Sequence, residues 1–281
     1  MRAYVRNKIG GIIIMANYFY EGNLNEQVNY HKKGNIEYYV RGTLEVNGRV
    51  YERYGMKTHF VEEGEDYIEL IRQYVAPFVQ EGDILSISEK VISICQQNVI
   101  HMEDMKLSGI TKLMSKFGKK TESGIGITEP YKLQLMIDMN GMGKVLYAGV
   151  VGMFGKLIGK HGIFYKILGE ESAEIDGFYS HSAFKEYSTM AILVPQKAGE
   201  VCDEIFEEFH IPSMIVDAND ISVNILGKCK MLKDISDEDL AAYIRDNPAG
   251  QDDEMTPFII IRDITGQKSQ PYTPKKPRKQ A

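Results

Sequence analysis

Tryptophan is absent from this chain of 281 residues, and cysteine is scarce: Cys95, Cys202 and Cys229 stand alone, with no CxxC pair. That excludes a disulfide framework and a cysteine-built zinc site, and it suits a reducing compartment, so a cytoplasmic location is expected. The six histidines form no HxxxH or HExxH pairing, which leaves His59 and His161 as isolated side chains. No glycine-rich loop ends in Gly-Lys-Ser/Thr, so a Walker A site is excluded as well. Long hydrophobic runs are also missing. The apolar stretch over residues 145–155, flanked by Lys144 and Lys156, is well short of the roughly 20 residues a membrane span needs. Arg2, Arg6 and Lys8 before Gly-Gly-Ile-Ile-Ile faintly imitate a signal peptide, but the apolar part is too short and Met15 is an alternative start. A net charge of −6 argues against a nucleic-acid partner, since phosphate contacts need concentrated Lys and Arg.

What is present is ordinary globular material, 43% hydrophobic and 26% charged, enough for one large or two modest domains. Asn47-Gly48 between β-prone runs predicts a hairpin over 38–54 with a type I′ turn. Lys57 to Val61 reads as another strand. A helix is expected over 65–79, with Ile68, Ile71, Val75 and Phe78 on one side, followed by a buried strand over 84–87. Residues 106–119 read as a basic helix, 121–128 as a glycine-containing loop, and 131–139 as a helix. Further on, Met190 to Val194 reads as a strand and Lys197 to His210 as a helix with Val201, Ile205 and Phe209 on one face. Ser213 to Val216 reads as a second strand. Strand, helix, strand predicts a βαβ crossover with parallel strands, hence a mixed α/β (α+β) fold class. A helix near 237–245 and a last strand over 258–261 close the pattern. Residues 266–281 carry five basic side chains and no acid, which predicts a disordered basic tail.

Several clusters carry chemistry. Asp217, Asn219 and Asp220 follow the second strand of the crossover, where open α/β sheets place ligands, and their oxygens suit a hard divalent cation. An Asx-rich turn explains the same residues. Asp176, in Ile-Asp-Gly, is a second candidate metal carboxylate or a plain Asp-Gly turn. A metal that bridges phosphate oxygens draws carboxylates from separate segments, which is why Asp176 and Asp217 are read together. Ser88, Glu89 and Lys90 end a strand and could orient a phosphate or carboxylate, or simply start a helix. Gly149, Gly152, Gly155, Gly159 and Gly162 among lysines fit a phosphate cradle or a close-packed helix face; a membrane-surface segment over 146–168 is a third reading, disfavoured by the acidic chain. Gln251 to Glu254, with Thr256, could form a lid or binding loop, or a solvated acidic turn.

These residues, in their order, resemble the coenzyme factor-420 γ-glutamyl ligase family. The resemblance is carried by Lys57-Thr-His59 with Glu63-Gly-Glu-Asp66, Glu81-Gly-Asp-Ile-Leu-Ser-Ile-Ser-Glu-Lys90 and Ile175-Asp-Gly177. It continues in Ile215-Val-Asp-Ala-Asn-Asp220, Asn224-Ile-Leu-Gly227 and Asp246-Asn-Pro-Ala-Gly-Gln251 with Glu254 and Thr256-Pro257. The resemblance implies a ligase domain over 36–265 made of two intertwined α/β lobes, after an N-terminal extension over 1–35. It implies Mg²⁺ or Mn²⁺ held by Asp176, Asp217 and Asp220, and GTP (or ATP) as co-substrate. Ser88, Glu89, Lys90, Asn219 and Gln251 would bind nucleotide or substrate, with Lys90 and Asp217 catalytic. It further implies a homodimer that joins glutamate to a small-molecule carboxylate acceptor, with no nucleic-acid or membrane partner. A non-catalytic nucleotide or metal sensor on the same fold is the alternative. The chain departs from the family pattern after Asp176, where Gly177-Phe-Tyr-Ser replaces a Ser-Asn pair. It departs again after Asp217, where Ala218 replaces Thr and a downstream arginine is missing.

Overall fold

The computed structural model describes residues 6–9, 12–15, 29–117, 129–160, 162–169, 176–178, 185–218, 222–249 and 255–267. Along the chain run β1 (Arg6–Ile9), β2 (Ile12–Met15), β3 (Tyr30–Lys33), β4 (Ile36–Val46), β5 (Arg49–Met56), α1 (Tyr67–Tyr74), β6 (Ile84–Ser88), α2 (Glu89–Cys95) and β7 (Val99–His101). Then follow α3 (Gly109–Phe117), α4 (Pro130–Asn140), α5 (Met142–Leu157), α6 (Ile163–Leu168), β8 (Asp176–Gly177) and β9 (Met190–Ile192). The last elements are α7 (Ala198–Phe209), β10 (Ser213–Ala218), β11 (Val223–Lys228), α8 (Asp237–Ala242) and β12 (Phe258–Asp263). The chain divides into two compact units: residues 1–97 with 195–281, and an insertion over 98–194.

The first unit is built on a seven-stranded mixed sheet of order β11-β10-β6-β12-β5-β4-β3. Leu85, Ile87, Met214, Ile215, Phe258 and Ile260 have no exposed surface, or almost none. Phe258 to Ile261 are buried in succession, with no alternation, as strands covered on both faces require. Val75 after α1, Ile92 of α2 and Ile205 of α7 supply buried apolar side chains from the helices. Asn47 and Gly48 both have positive φ, 52° and 77°, which is the type I′ turn expected between β4 and β5. Gly42, at φ 78°, marks a bulge where the β4–β5 register slips between Val40 and Thr43. The helix expected over 65–79 is shorter: Asp66 caps α1 through a bond from the Ile68 N–H, and the chain turns after Tyr74 while still burying Val75 and Phe78.

Two readings are corrected. Residues 57–61 form no strand. Lys57 donates its N–H to the Glu37 carbonyl and Thr58 to the Met255 carbonyl, at 2.9 and 2.8 Å, so these amides are satisfied singly rather than by a ladder. The crossover is the second. β9 and β10 flank α7 as expected but lie in different sheets and different units, and the parallel neighbour of β10 is β6. Local hydrophobic pattern marks a buried strand without marking its partner. Strand β3, inside the segment read as an N-terminal extension, pairs with β4 at the sheet edge.

The insertion carries a small sheet of order β7-β9-β8 and the helices α3 to α6. Its core gathers Leu133, Leu135, Met136 and Ile137 of α4, Val145 and Ala148 of α5, Leu168, Phe178 and Ala191. Glu129 caps α4 by accepting from the Tyr131 and Lys132 N–H groups, and Pro130 occupies the first helical turn, where a missing N–H costs nothing. The two ends of the insertion are tied together where Asn98 donates Nδ2 to the Val194 carbonyl at 2.6 Å. The spaced glycines belong to a helical hairpin. A Cβ on Gly152 would lie 3.2 Å from Phe164 Cβ, and one on Gly155 would lie 2.3 Å from Ile163 Cδ1. Gly159 and Gly162, at φ 75° and 78°, turn the chain between α5 and α6. Close helix packing is therefore what Gly152 and Gly155 serve.

Candidate active site

In the seven-stranded sheet, β5, β6 and β10 all end on one edge, because β12 runs antiparallel to both β5 and β6 while β6 and β10 are parallel. Val216 of β10 pairs with Ser88 of β6. Asp217 and Glu89 are each the next residue along, so two clusters more than 120 residues apart in sequence meet at one sheet edge. Ser88 donates its backbone N–H to the Pro257 carbonyl at 2.9 Å, which brings the start of β12 to the same place. The Ser88 side chain makes no capping bond to α2. Glu89 is buried, with 6% of its surface exposed, while Lys90 and Asp217 are half-buried. Asp217 is the penultimate residue of β10 and pairs with Asn224 of β11, so it closes the strand rather than following it.

A buried arginine pair in the interior of β4 and β5 fastens residues 246–249. Arg53 donates to both carboxylate oxygens of Asp246 and, at 2.9 Å, to the Arg41 carbonyl. Arg41 donates Nη2 to Thr256 Oγ1 at 3.3 Å, and Thr256 in turn donates to the Ala249 carbonyl at 2.8 Å. Ala249 is thereby held at Thr256, just before β12, and Asp246 at Arg53, whose strand partner is Ile261. Gly55 leaves the room for this: a Cβ there would lie 3.0 Å from Arg41 Nε. Thr256 belongs to the candidate binding loop read from the sequence, whereas Arg41 is not marked by it. An arginine in the middle of a strand carries no local signal, although Thr256-Pro257 lay within the resembling segments. His59 is a surface histidine oriented by two partners, with Nδ1 2.7 Å from the Tyr74 hydroxyl and Nε2 2.9 Å from a Glu65 oxygen.

The remaining candidates divide. Asn219, Asp220 and Gln251 lie outside the described residues, as do residues 121–128, His161, 251–254 and the tail from 268. Asp176 begins β8, where its backbone pairs with Ile192; its side chain is outside the described residues. It belongs to the insertion, whereas Asp217 belongs to the other unit. Among the described residues no three His, Cys, Asp or Glu side chains gather as a metal cluster. Two glycines of the resembling segments have steric work instead. Gly177 sits at φ 124°, and a Cβ there would come within 2.1 Å of the Met190 carbonyl oxygen. A Cβ on Gly227 would come within 2.5 Å of the Ala198 backbone at the start of α7.

Thiol chemistry is poorly served here. Burial, reinforced by the Glu65 and Asp66 carboxylates, pushes the Cys95 thiol up to about 12, and burial does the same to Cys202. Both then hold about a thousandfold less thiolate at pH 8 than an ordinary cysteine. Iodoacetamide at pH 8 is expected to leave Cys95 and Cys202 unmodified in the folded protein and to label all three cysteines in urea. Rapid labelling of Cys95 in the native state, read by peptide mass, refutes this.

The protein is of the mixed α/β class, and its polar and ionisable groups at the carboxyl ends of parallel strands lie where open α/β sheets place their ligands. The chain belongs to the F420-0:gamma-glutamyl ligase family, whose pattern matches residues 55–213, more than half of its length. The matched span contains Ser88, Glu89, Lys90, Asp176 and the whole insertion, and stops just short of Asp217. Membership gives the protein its general function, a ligase of the γ-glutamyl class, with glutamate and a small-molecule acceptor as substrate classes. Among curated proteins, none matches the chain.

Proposed function

We propose that the protein is a nucleotide- and divalent-metal-dependent amide ligase that activates the carboxylate of a small-molecule acceptor as an acyl phosphate and joins it to the amine of glutamate. The observation that carries this reading is the pairing of Ser88 with Val216, which sets Ser88-Glu89-Lys90 and Asp217 on neighbouring strand ends in a family of γ-glutamyl ligases. The donor chemistry suits Mg²⁺ or Mn²⁺: Asp217 and Glu89 offer hard carboxylate oxygens and Ser88 a hydroxyl. Mg²⁺ commonly takes only one or two protein carboxylates, the rest of its shell being water and substrate phosphate. A dication there would neutralise charge on the transferring phosphoryl group. Asp220 adds a further carboxylate to the metal set in this reading, and Asn219 and Gln251 serve nucleotide or substrate.

The chain's own residues have separable tasks. Lys90 is a point charge for a phosphoryl oxygen as negative charge spreads over it. Arg41 and Thr256 are positioning residues that hold Ala249 beside the start of β12, two residues before Gln251. Chemistry of this kind is mostly orientation and charge neutralisation, so the raised cysteine thiols are no obstacle. GTP is taken as the phosphoryl donor and the homodimer as the working form, in the cytoplasm.

The test crosses GTP and ATP with Mg²⁺ and Mn²⁺, supplies glutamate and a panel of carboxylated acceptors, and reads released phosphate together with glutamylated product by mass spectrometry. Phosphate release that requires glutamate, acceptor and metal together is the expected result. Nucleotide binding by calorimetry with no product for any acceptor in the panel favours a non-catalytic binding protein instead and overturns the ligase reading.

A further inference from the structure

Helix α5 carries two apolar stripes. Val145, Ala148, Gly152 and Gly155 face inward and are buried. On the other side Leu146, Tyr147, Val150, Met153, Phe154 and, just past the helix, Ile158 are exposed by 39%, 62%, 51%, 58%, 59% and 72%. Single exposed apolar residues need no explanation, but six in helical register along about 18 Å are a contiguous surface. Ile110 and Leu113 of α3 and Met139 of α4 add to the exposed apolar side chains of the same unit.

The charge along the segments that carry this face is one-signed. Residues 139–169 contain four lysines and no acid, and residues 105–121 contain five lysines and no acid. Lys112, Lys160 and Lys166 are exposed, and Lys144, near the start of α5, reaches the Leu168 carbonyl at 2.9 Å. The acidic balance that argued against a membrane partner describes the whole chain; the insertion alone has eleven lysines against ten acids, and its acids lie outside these two segments. No described helix is long and apolar enough to cross a membrane, so the contact this face allows is with a surface. A second copy would present the same patch, setting lysines against lysines. An anionic bilayer offers acyl chains for the stripe and phosphates for its basic surroundings.

We infer that the exposed face of α5 is a peripheral docking surface for an anionic lipid bilayer. Leu146, Tyr147, Val150, Met153, Phe154 and Ile158 sink below the headgroups, and the lysines meet lipid phosphates. This contact is independent of the ligase reaction.

The test is cosedimentation of the full chain with phosphatidylcholine vesicles, with and without 30% phosphatidylserine. Binding is expected only to the anionic vesicles, and it is expected to weaken at 0.5 M NaCl. Phe154→Ser with Ile158→Ser should abolish it, and Lys160→Glu with Lys166→Glu should weaken it by about tenfold or more. Because these four side chains are exposed, each double variant should keep the wild-type melting temperature and vesicle-free ligase turnover. Three outcomes overturn the proposal: no sedimentation with anionic vesicles, equal binding to neutral ones, or a dimer in sedimentation velocity that the Phe154/Ile158 variant splits while vesicles are ignored. The last would assign the face to a second copy.

Discussion

Asp217→Asn is expected to reduce glutamate- and metal-dependent phosphate release by about 10²–10³-fold, the range seen when one charge-stabilising group is lost at a phosphoryl or acyl centre. Asparagine keeps the size and one oxygen of the side chain but removes the charge that favours a dication. The penultimate position in β10 has its backbone paired with β11, so the strand tolerates the exchange and the melting temperature should move little. A second readout separates metal from chemistry: the dissociation constant for Mn²⁺, followed by titration without nucleotide, should rise at least tenfold. Lys90→Ala should lower turnover comparably while leaving Mn²⁺ binding unchanged. Turnover within twofold of wild type in Asp217→Asn, with Mn²⁺ affinity intact, removes this residue from the site and leaves the strand edge without its principal acid.

Much of this edge was legible as separate pieces. Val216-Asp217 at the end of an apolar run and Ser88-Glu89-Lys90 at the end of another are local patterns, and both were read as strand ends bearing chemistry. Their meeting was not legible. It depends on β10 pairing with β6 across an inserted unit, and an apolar run of four to six residues looks the same whichever strand it joins. The sequence therefore suggested β9 as partner, the nearest run along the chain. Asn47-Gly48 was readable because a two-residue turn with both φ positive has few solutions. Residues 57–61 misled because Thr58, Phe60 and Val61 are β-prone, yet their amide partners lie on residues far away in the chain. The fixing of residues 246–249 through Arg53, Arg41 and Thr256 escaped notice for the same reason: each bond crosses about 200 residues or joins groups that no spacing rule connects.

Arg262→Met is expected to destabilise the seven-stranded unit by about 3–5 kcal/mol, the usual cost of stripping one partner from a buried ion pair. Asp83 is 2% exposed and accepts from Arg262 Nε at 2.8 Å and Nη2 at 2.6 Å, besides the Gln80 N–H at 2.8 Å. The guanidinium also lies 5.0 Å from the Tyr54 ring and 5.1 Å from the Phe78 ring, so methionine keeps part of the packing but none of the charge. What remains is a carboxylate sealed from water with one N–H donor. Melting should fall by roughly 6–20 °C. Adding Asp83→Asn removes the stranded charge and should recover a substantial part of that loss, an outcome that loss of packing alone does not produce. This pair sits at the start of β6, where Ile84 pairs with Ile261, and about 13 Å of strand separates it from Ser88. Below its melting range the single variant should therefore keep wild-type turnover and Mn²⁺ affinity. A variant that melts normally refutes the ion pair's role in stability. One that melts low and also loses metal binding when folded shows that the two edges of the sheet are coupled, which a rigid core of Leu85, Ile87 and Ile260 does not allow.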